Sequence, residues 1–168
     1  FSKSTNLKEV KSTFDVILTN PPFGSQGKIA SESVLRDFSL GYKWSNDSRG
    51  RLVATNQLQN GQVPEILFIE RCLELLKDGG RLAIVLPNGD FENSSLDYVR
   101  EFIKSKAKIL GIVALPPETF IPHGTGVKAS LLFCQKLSSV ELESQKDKDY
   151  SIFFAKIVKV GYEGNKNG

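Results

Sequence analysis

Apolar positions fall along the chain in two rhythms. Short continuous runs occur at Phe14–Thr19, with Val16, Ile17 and Leu18 at the centre, and again at Arg81–Leu86, Ile109–Leu115, Val127–Gln135 and Tyr150–Val160. Runs of this length bounded by proline, glycine or polar clusters predict buried strands. Between them the spacing changes. Ile66, Ile69, Cys72, Leu73 and Leu76, widened by Leu67 and Leu75, recur at helical intervals over 65–78. Pro64 and Glu65 suit the first turn of that helix, and Gly79-Gly80 its end. A second helix is predicted over Ser94–Lys106, with Ser94 and Asp97 as the N-cap pair and Leu96, Val99 and Ile103 facing inward. Strand, helix, strand at this spacing is a parallel crossover unit, so the chain reads as α/β. The short connection between the runs at Ile109–Leu115 and Val127–Gln135 predicts an antiparallel pair there.

The segments between these elements are polar. Residues 1–13 read as a lead-in loop, 138–149 as a solvated loop, and 165–168 as a frayed end. Residues 25–64 are long, polar and weakly periodic, with little regular structure expected. They interleave Lys28, Arg36, Lys43, Arg49 and Arg51 with Phe38, Tyr42 and Trp44. Two readings stand: a lid that meets a nucleic acid, with Trp44 among its substrate contacts, or a surface insertion whose aromatics dock on the body.

The chemistry concentrates where the first run stops, at Asn20-Pro21-Pro22-Phe23-Gly24. Two prolines fix φ and donate nothing to a ladder, so the backbone past the strand is stiff. A side-chain amide is thereby held at the carboxyl end of a strand, where open α/β sheets bind ligands. The Asn20 amide oxygen and the Pro21 carbonyl can accept both hydrogens of an exocyclic –NH₂ group. That orients the nitrogen lone pair toward an incoming methyl group, with Pro22 as rigid support. Phe23 offers a face on which an extruded base can stack. Positioning and electrostatics suffice for such a transfer without a strong general base. In the later loop, Phe120 on the residues alone reads as a core anchor. His123 is the single histidine of the chain and reads as a loop residue.

Composition narrows the setting. The 168 residues are 40% hydrophobic and 24% charged with a net charge of +3, an ordinary globular balance that is too weakly basic to argue for nucleic acid alone. Cys72 and Cys134 lie inside apolar patterns without metal-ligand spacing, which reads as buried thiols in a reducing cytoplasm. No apolar stretch has membrane-spanning length, so no membrane partner is expected. The chain contains no methionine. It also lacks a glycine-rich turn ahead of Asn20, its first glycine being Gly24. A nucleoside-binding half would carry such a turn, and an acidic residue after the next strand, so the cofactor-binding residues are unknown.

Asn20-Pro21-Pro22-Phe23 resembles the catalytic motif of S-adenosylmethionine-dependent amino methyltransferases, in the form typical of adenine-N6 DNA methylases. The run Asp78-Gly79-Gly80-Arg81 through Pro87 is similar to the same family. So are Leu40–Trp44, Leu115-Pro116 with Phe120, Gly124–Lys128, Leu131-Leu132-Phe133 and Gly161-Tyr162, which match modification (M) subunits of type I restriction–modification systems. The resemblance implies the C-terminal part of a Rossmann-like methyltransferase domain, a mixed sheet with an antiparallel final strand: a partial catalytic domain over 1–168, with 25–64 as a lid-like insertion and the cofactor-binding first half, which in the family precedes the Asn-Pro-Pro-Phe motif, absent. It further implies methyl transfer from S-adenosylmethionine to adenine N6 in double-stranded DNA, with Asn20, Pro21, Pro22 and Phe23 catalytic and Phe120 and Trp44 contacting substrate. Specificity (S) and restriction (R) subunits are the implied partners. An RNA or protein-glutamine methyltransferase, and a non-catalytic interaction module, are the alternatives.

Overall fold

The computed structural model describes residues 10–24, 27–123, 126–145 and 148–161. The frayed end at 165–168, Tyr162, Gly124, Thr125, and most of the 1–13 lead-in lie outside them.

The first apolar run forms a strand, β1, Phe14–Thr19, but an exposed one rather than the buried one expected: it is an edge strand, with Val16 56% and Leu18 76% exposed. The last run is exposed in the same way, at the opposite edge, with Phe153 and Phe154 open to solvent. Beyond the Asn20–Gly24 turn come α1 (Glu32–Leu35), a 3-10 turn at Ser39–Gly41, and a hairpin of β2 (Tyr42–Asn46) and β3 (Leu52–Leu58). Then follow α2 (Pro64–Leu75), β4 (Leu76–Pro87), α3 (Gly89–Glu92), α4 (Asp97–Lys104), β5 (Ala107–Ala114), β6 (Ala129–Lys136), α5 (Ser139–Gln145) and β7 (Phe153–Lys156). The main sheet has the order β1-β4-β6-β5-β7.

β1 and β4 run parallel, with Val16 opposite Arg81 and Thr19 opposite Ile84, and α2 lies in the connection. This is the expected crossover. The sheet is mixed, as expected, but its antiparallel strand is interior. β6 lies between β4 and β5 and is antiparallel to both, whereas the last strand, β7, runs parallel to β5. One face of the sheet closes on α2 and α4 over Ile66, Ile69, Leu73, Leu82, Ile84, Leu86, Val99 and Leu132. Cys72 and Cys134 are free and buried in this core, and burial raises their thiols to about 11 and about 12.

The structure corrects several predicted boundaries. The first long helix ends at Leu75, not at 78. Leu76 turns extended to pair with Phe14, and Lys77–Gly80 bulge out of the ladder, with Gly79 at φ +80. The two glycines therefore shape a bulge rather than stop a helix. A side chain at Gly80 would stand 2.8 Å from the Lys77 carbonyl. The second helix begins at Asp97 after a 3-10 turn over Ser94–Leu96, and Asn93 is the cap, its side chain accepting the Ser95 N–H at 2.9 Å. In the expected loop at 138–149, Ser139–Gln145 is helical. Ser138 and Glu141 form a reciprocal cap there, with the Ser138 N–H and hydroxyl both donating to Glu141 Oε2. The last strand is confined to four residues, because β5 offers pairing partners only from Gly111 to Ala114.

The segment 25–64 is more regular than its sequence predicts. Its hairpin turns on Asp47, whose Oδ1 accepts the N–H groups of Arg49 and Arg51 while Oδ2 takes the Arg51 guanidinium. The segment is tied to the body by Glu70, whose carboxylate accepts the Ser39 and Leu40 N–H groups at 2.7 and 2.8 Å. Leu35 and Leu40 are fully buried, and a Cβ on Gly41 would lie 2.1 Å from the Leu35 carbonyl oxygen. Only glycine fits that close approach.

Candidate active site at the carboxyl end of β1

Three chain crossings meet at the carboxyl end of the sheet. β1 delivers Asn20, β4 delivers Asn88, and the loop after β5 delivers Phe120. Parallel strands point their ends the same way, so this edge gathers side chains from distant parts of the sequence.

Asn20 is exposed, and its amide has no protein partner among the described residues. Pro21 is buried and Pro22 exposed, so the turn has one ring in the body and one in solvent. No described backbone N–H outside the strands is bonded to the Pro21 carbonyl. Adjacent residues thus carry two acceptors without a described partner, on a backbone that two proline rings stiffen. Past them, the Gly24 N–H donates to Glu65 Oε1 at 3.0 Å, and the Gly27 N–H donates to the Gly24 carbonyl at 3.1 Å. A Cβ on Gly24 would come within 2.4 Å of Val63 Cγ1, so the turn sits directly against the start of α2.

Phe23 is half-buried, and its ring meets that of Phe120 edge to face, 5.7 Å between centroids at 78°. Phe120 lies on a 3-10 segment, Pro117–His123, whose first turn is closed by the Thr119 N–H and hydroxyl donating to the Pro116 carbonyl. The structure thereby brings together Asn20, Pro21, Pro22, Phe23 and Phe120. It does not bring Trp44 to the turn. That ring stands over α4, 6.0 Å from Tyr98 and 6.3 Å from Phe102, with its Nε1–H donating to the Ser39 carbonyl at 3.1 Å. His123 ends the 3-10 segment.

Sequence reasoning missed Glu65 and Asp90 as polar members of this region. Both are buried, at 4% and 7% exposure, and each keeps one carboxylate oxygen without a partner in the described structure. Burial, reinforced by the Glu65 charge, raises Asp90 from its ordinary 3.8 to about 7. A place in the first turn of a helix, which is all the spacing predicts for Glu65, gives no hint of its hold on Gly24. Asn88 was likewise missed; its Oδ1 accepts the Ser130 hydroxyl and its N–H donates to the Lys128 carbonyl, joining β4 to β6 at the site's edge.

Among the described residues no group of three or more His, Cys, Asp or Glu is arranged to hold a metal ion, and no helix is long and apolar enough to cross a membrane.

Comparison with known proteins fits this geometry. The chain is 29% identical over 123 residues to the type I restriction enzyme EcoEI methylase subunit of Escherichia coli, covering 73% of this chain and 21% of that protein. It is 30% identical over 123 residues to the StySPI methylase subunit of Salmonella potsdam, covering 73% and 19%. The chain thus spans about a fifth of the length of these curated relatives. Among solved structures, a protein of Listeria monocytogenes described as a class I S-adenosylmethionine-dependent methyltransferase superposes with TM-score 0.63 at 21% identity, over 88% of this chain and 38% of that one. A structure from Vibrio vulnificus described as a modification subunit of a type I restriction enzyme gives 0.58 at 23% identity, over 95% and 28%. These two likenesses establish the methyltransferase-like fold. The model of the N-6 DNA methylase family matches residues 2–166, and the chain belongs to that family.

Proposed function

We propose that the protein containing this chain methylates N6 of adenine in double-stranded DNA, as the modification subunit of a type I restriction–modification system. The observation that carries the reading is a pair of acceptors that no described residue engages, Asn20 Oδ1 and the Pro21 carbonyl, on a rigid turn beside two aromatic rings. Both acceptors engage the amine hydrogens, which fixes the nitrogen and aims its lone pair away from the turn. As the nitrogen gains positive character during transfer, both oxygens bind it more strongly than they bind the neutral amine. One amine proton then leaves to solvent. Phe23 supplies the stacking face that offsets the cost of removing the base from its duplex.

S-adenosylmethionine is the proposed methyl donor and supplies an electrophilic methyl group. An adenosyl group calls for a glycine turn and a carboxylate for its ribose hydroxyls. Around β1 the described residues supply neither. Gly24 is filled by Val63, and Glu65 is committed to the Gly24 N–H. These residues form the side of the site that receives the amine. Specificity and restriction subunits are the proposed partners, in line with the type I methylase subunits the chain is similar to. A cytoplasmic location accords with two free, buried thiols.

The test is methyl transfer by the full-length protein, with its subunits, from isotope-labelled S-adenosylmethionine to duplex DNA, RNA and protein. Label recovered as N6-methyladenine from DNA is the expected result. Label recovered from RNA or from glutamine would replace this reading with one of its alternatives.

A further inference from the structure

Behind the catalytic turn lies a polar cavity of about 330 Å³ whose lining includes Lys28, Gln62, Glu65, Asp90 and Tyr98. Two of these are buried carboxyl groups, each with an oxygen that no described group satisfies. Leaving such atoms unpaired is costly, so their retention beside the site calls for a reason. Glu65 already has one task, as acceptor for the Gly24 N–H at 3.0 Å. That contact joins the catalytic turn to the first turn of α2, a helix whose Ile66, Ile69 and Leu73 are core residues.

We propose that Glu65 is a positioning residue for methyl transfer, clamping the Asn20–Gly24 turn to α2, and that Asp90, which shares its cavity, modulates the clamp. The proposal rests on the methyltransferase reading above. With Asp90 protonated, Glu65 accepts from Gly24 with no second carboxylate charge sharing the cavity. Once Asp90 ionises, two like charges share a poorly solvated space, and rotation of Glu65 toward water relieves them at the expense of the clamp.

The other charged groups around Asp90 do not cancel this effect. On α4, Asp97 pairs with Arg100 and Glu101 pairs with Lys104. Arg100 reaches Asp90 only through its backbone carbonyl, by a hydrogen bond of 3.1 Å. Tyr98 is neutral near physiological pH, its phenol raised further by burial. Lys28 is exposed, where solvent screens it. Burial, and then the Glu65 charge, raise the Asp90 carboxyl to about 7.

The experiment uses the full-length protein with Glu65→Ala, Glu65→Gln and Asp90→Asn variants, and reads both kinetics on duplex DNA and hydrogen exchange in the peptide spanning residues 20–27. Glu65→Ala is expected to lower kcat by about 10- to 100-fold with little change in KM for DNA, and to speed exchange at the turn. Glu65→Gln, whose carbonyl can still accept from Gly24, is expected to restore most of both. Wild-type kcat should fall from about pH 6 to about pH 8.5, and Asp90→Asn should flatten that profile. Unchanged kcat and exchange in Glu65→Ala would overturn the proposal, as would slowed transfer without faster exchange. If Glu65→Ala fails to fold, the Glu65→Gln exchange rate and the Asp90→Asn pH profile decide the matter. A wild-type protein that transfers no methyl group to DNA would sink the functional reading instead, while exchange at the turn still tests the clamp.

Discussion

The rings of Phe23 and Phe120 meet edge to face with centroids 5.7 Å apart, although 97 positions separate them in the chain (120 − 23). An edge-to-face pair satisfies both quadrupoles but leaves no parallel slot between the rings. As the rings stand, a base cannot lie between them, and stacking on Phe23 would use the ring face that Phe120 does not meet. Phe23→Ala is expected to weaken capture of the flipped base by ~1–3 kcal/mol, and Phe23→Trp by much less. Fluorescence of 2-aminopurine at the target position reports capture directly. Equal signals for Phe, Trp and Ala at position 23 would assign the ring to packing alone.

Trp44 anchors the inserted hairpin to α4 through Tyr98 and Phe102. Trp44→Ala is expected to destabilise the protein by about 2–3 kcal/mol, below the range for fully buried aromatics because the ring is half-exposed. Denaturant unfolding measures this. An unchanged midpoint together with lost DNA affinity would instead make Trp44 a direct substrate contact.

Asp90 should also shape stability against pH. Its folded value of about 7 lies above its ordinary 3.8, so the folded state holds the proton more tightly than the unfolded chain. Its contribution is complete below pH 3.8 and is lost as pH rises toward and through about 7. Asp90→Asn removes that slope and is expected to raise stability at pH 8 by about 1–3 kcal/mol relative to wild type. Thermal unfolding across this range checks the sign. A wild-type protein whose stability rises from pH 5 to pH 8 in step with the variant would contradict it.

The sequence shows most plainly those features that are governed by local rules. The β1 run, the α2 periodicity and the proline-stiffened turn were readable because apolar spacing and fixed φ act over a few residues. The inserted hairpin was not, because its stability comes from Asp47 closing the turn on Arg51, from Glu70 reaching across to Ser39 and Leu40, and from Trp44 on α4. Polar anchors of that kind leave no period in the sequence. The helix at Ser139–Gln145 did leave one, since Ser138-Ser139-Val140-Glu141 is a capping-box pattern, outweighed by the charge of the stretch. Within the site, Asn20 through Phe23 and Phe120 were legible from residue type and order. Glu65 and Asp90 were hidden because their proximity is created only when α2 and the turn after β4 fold against each other.

The central claim is that Asn20 holds the reacting amine. The most direct measurement is the single-turnover rate of N6-methyladenine formation in duplex DNA by full-length wild type and Asn20→Ala, with DNA binding measured in parallel. Loss of one pre-organised acceptor is expected to slow transfer by about 10²- to 10³-fold while DNA affinity and the unfolding transition are retained. An Asn20→Ala protein that methylates adenine at the wild-type rate would contradict the account.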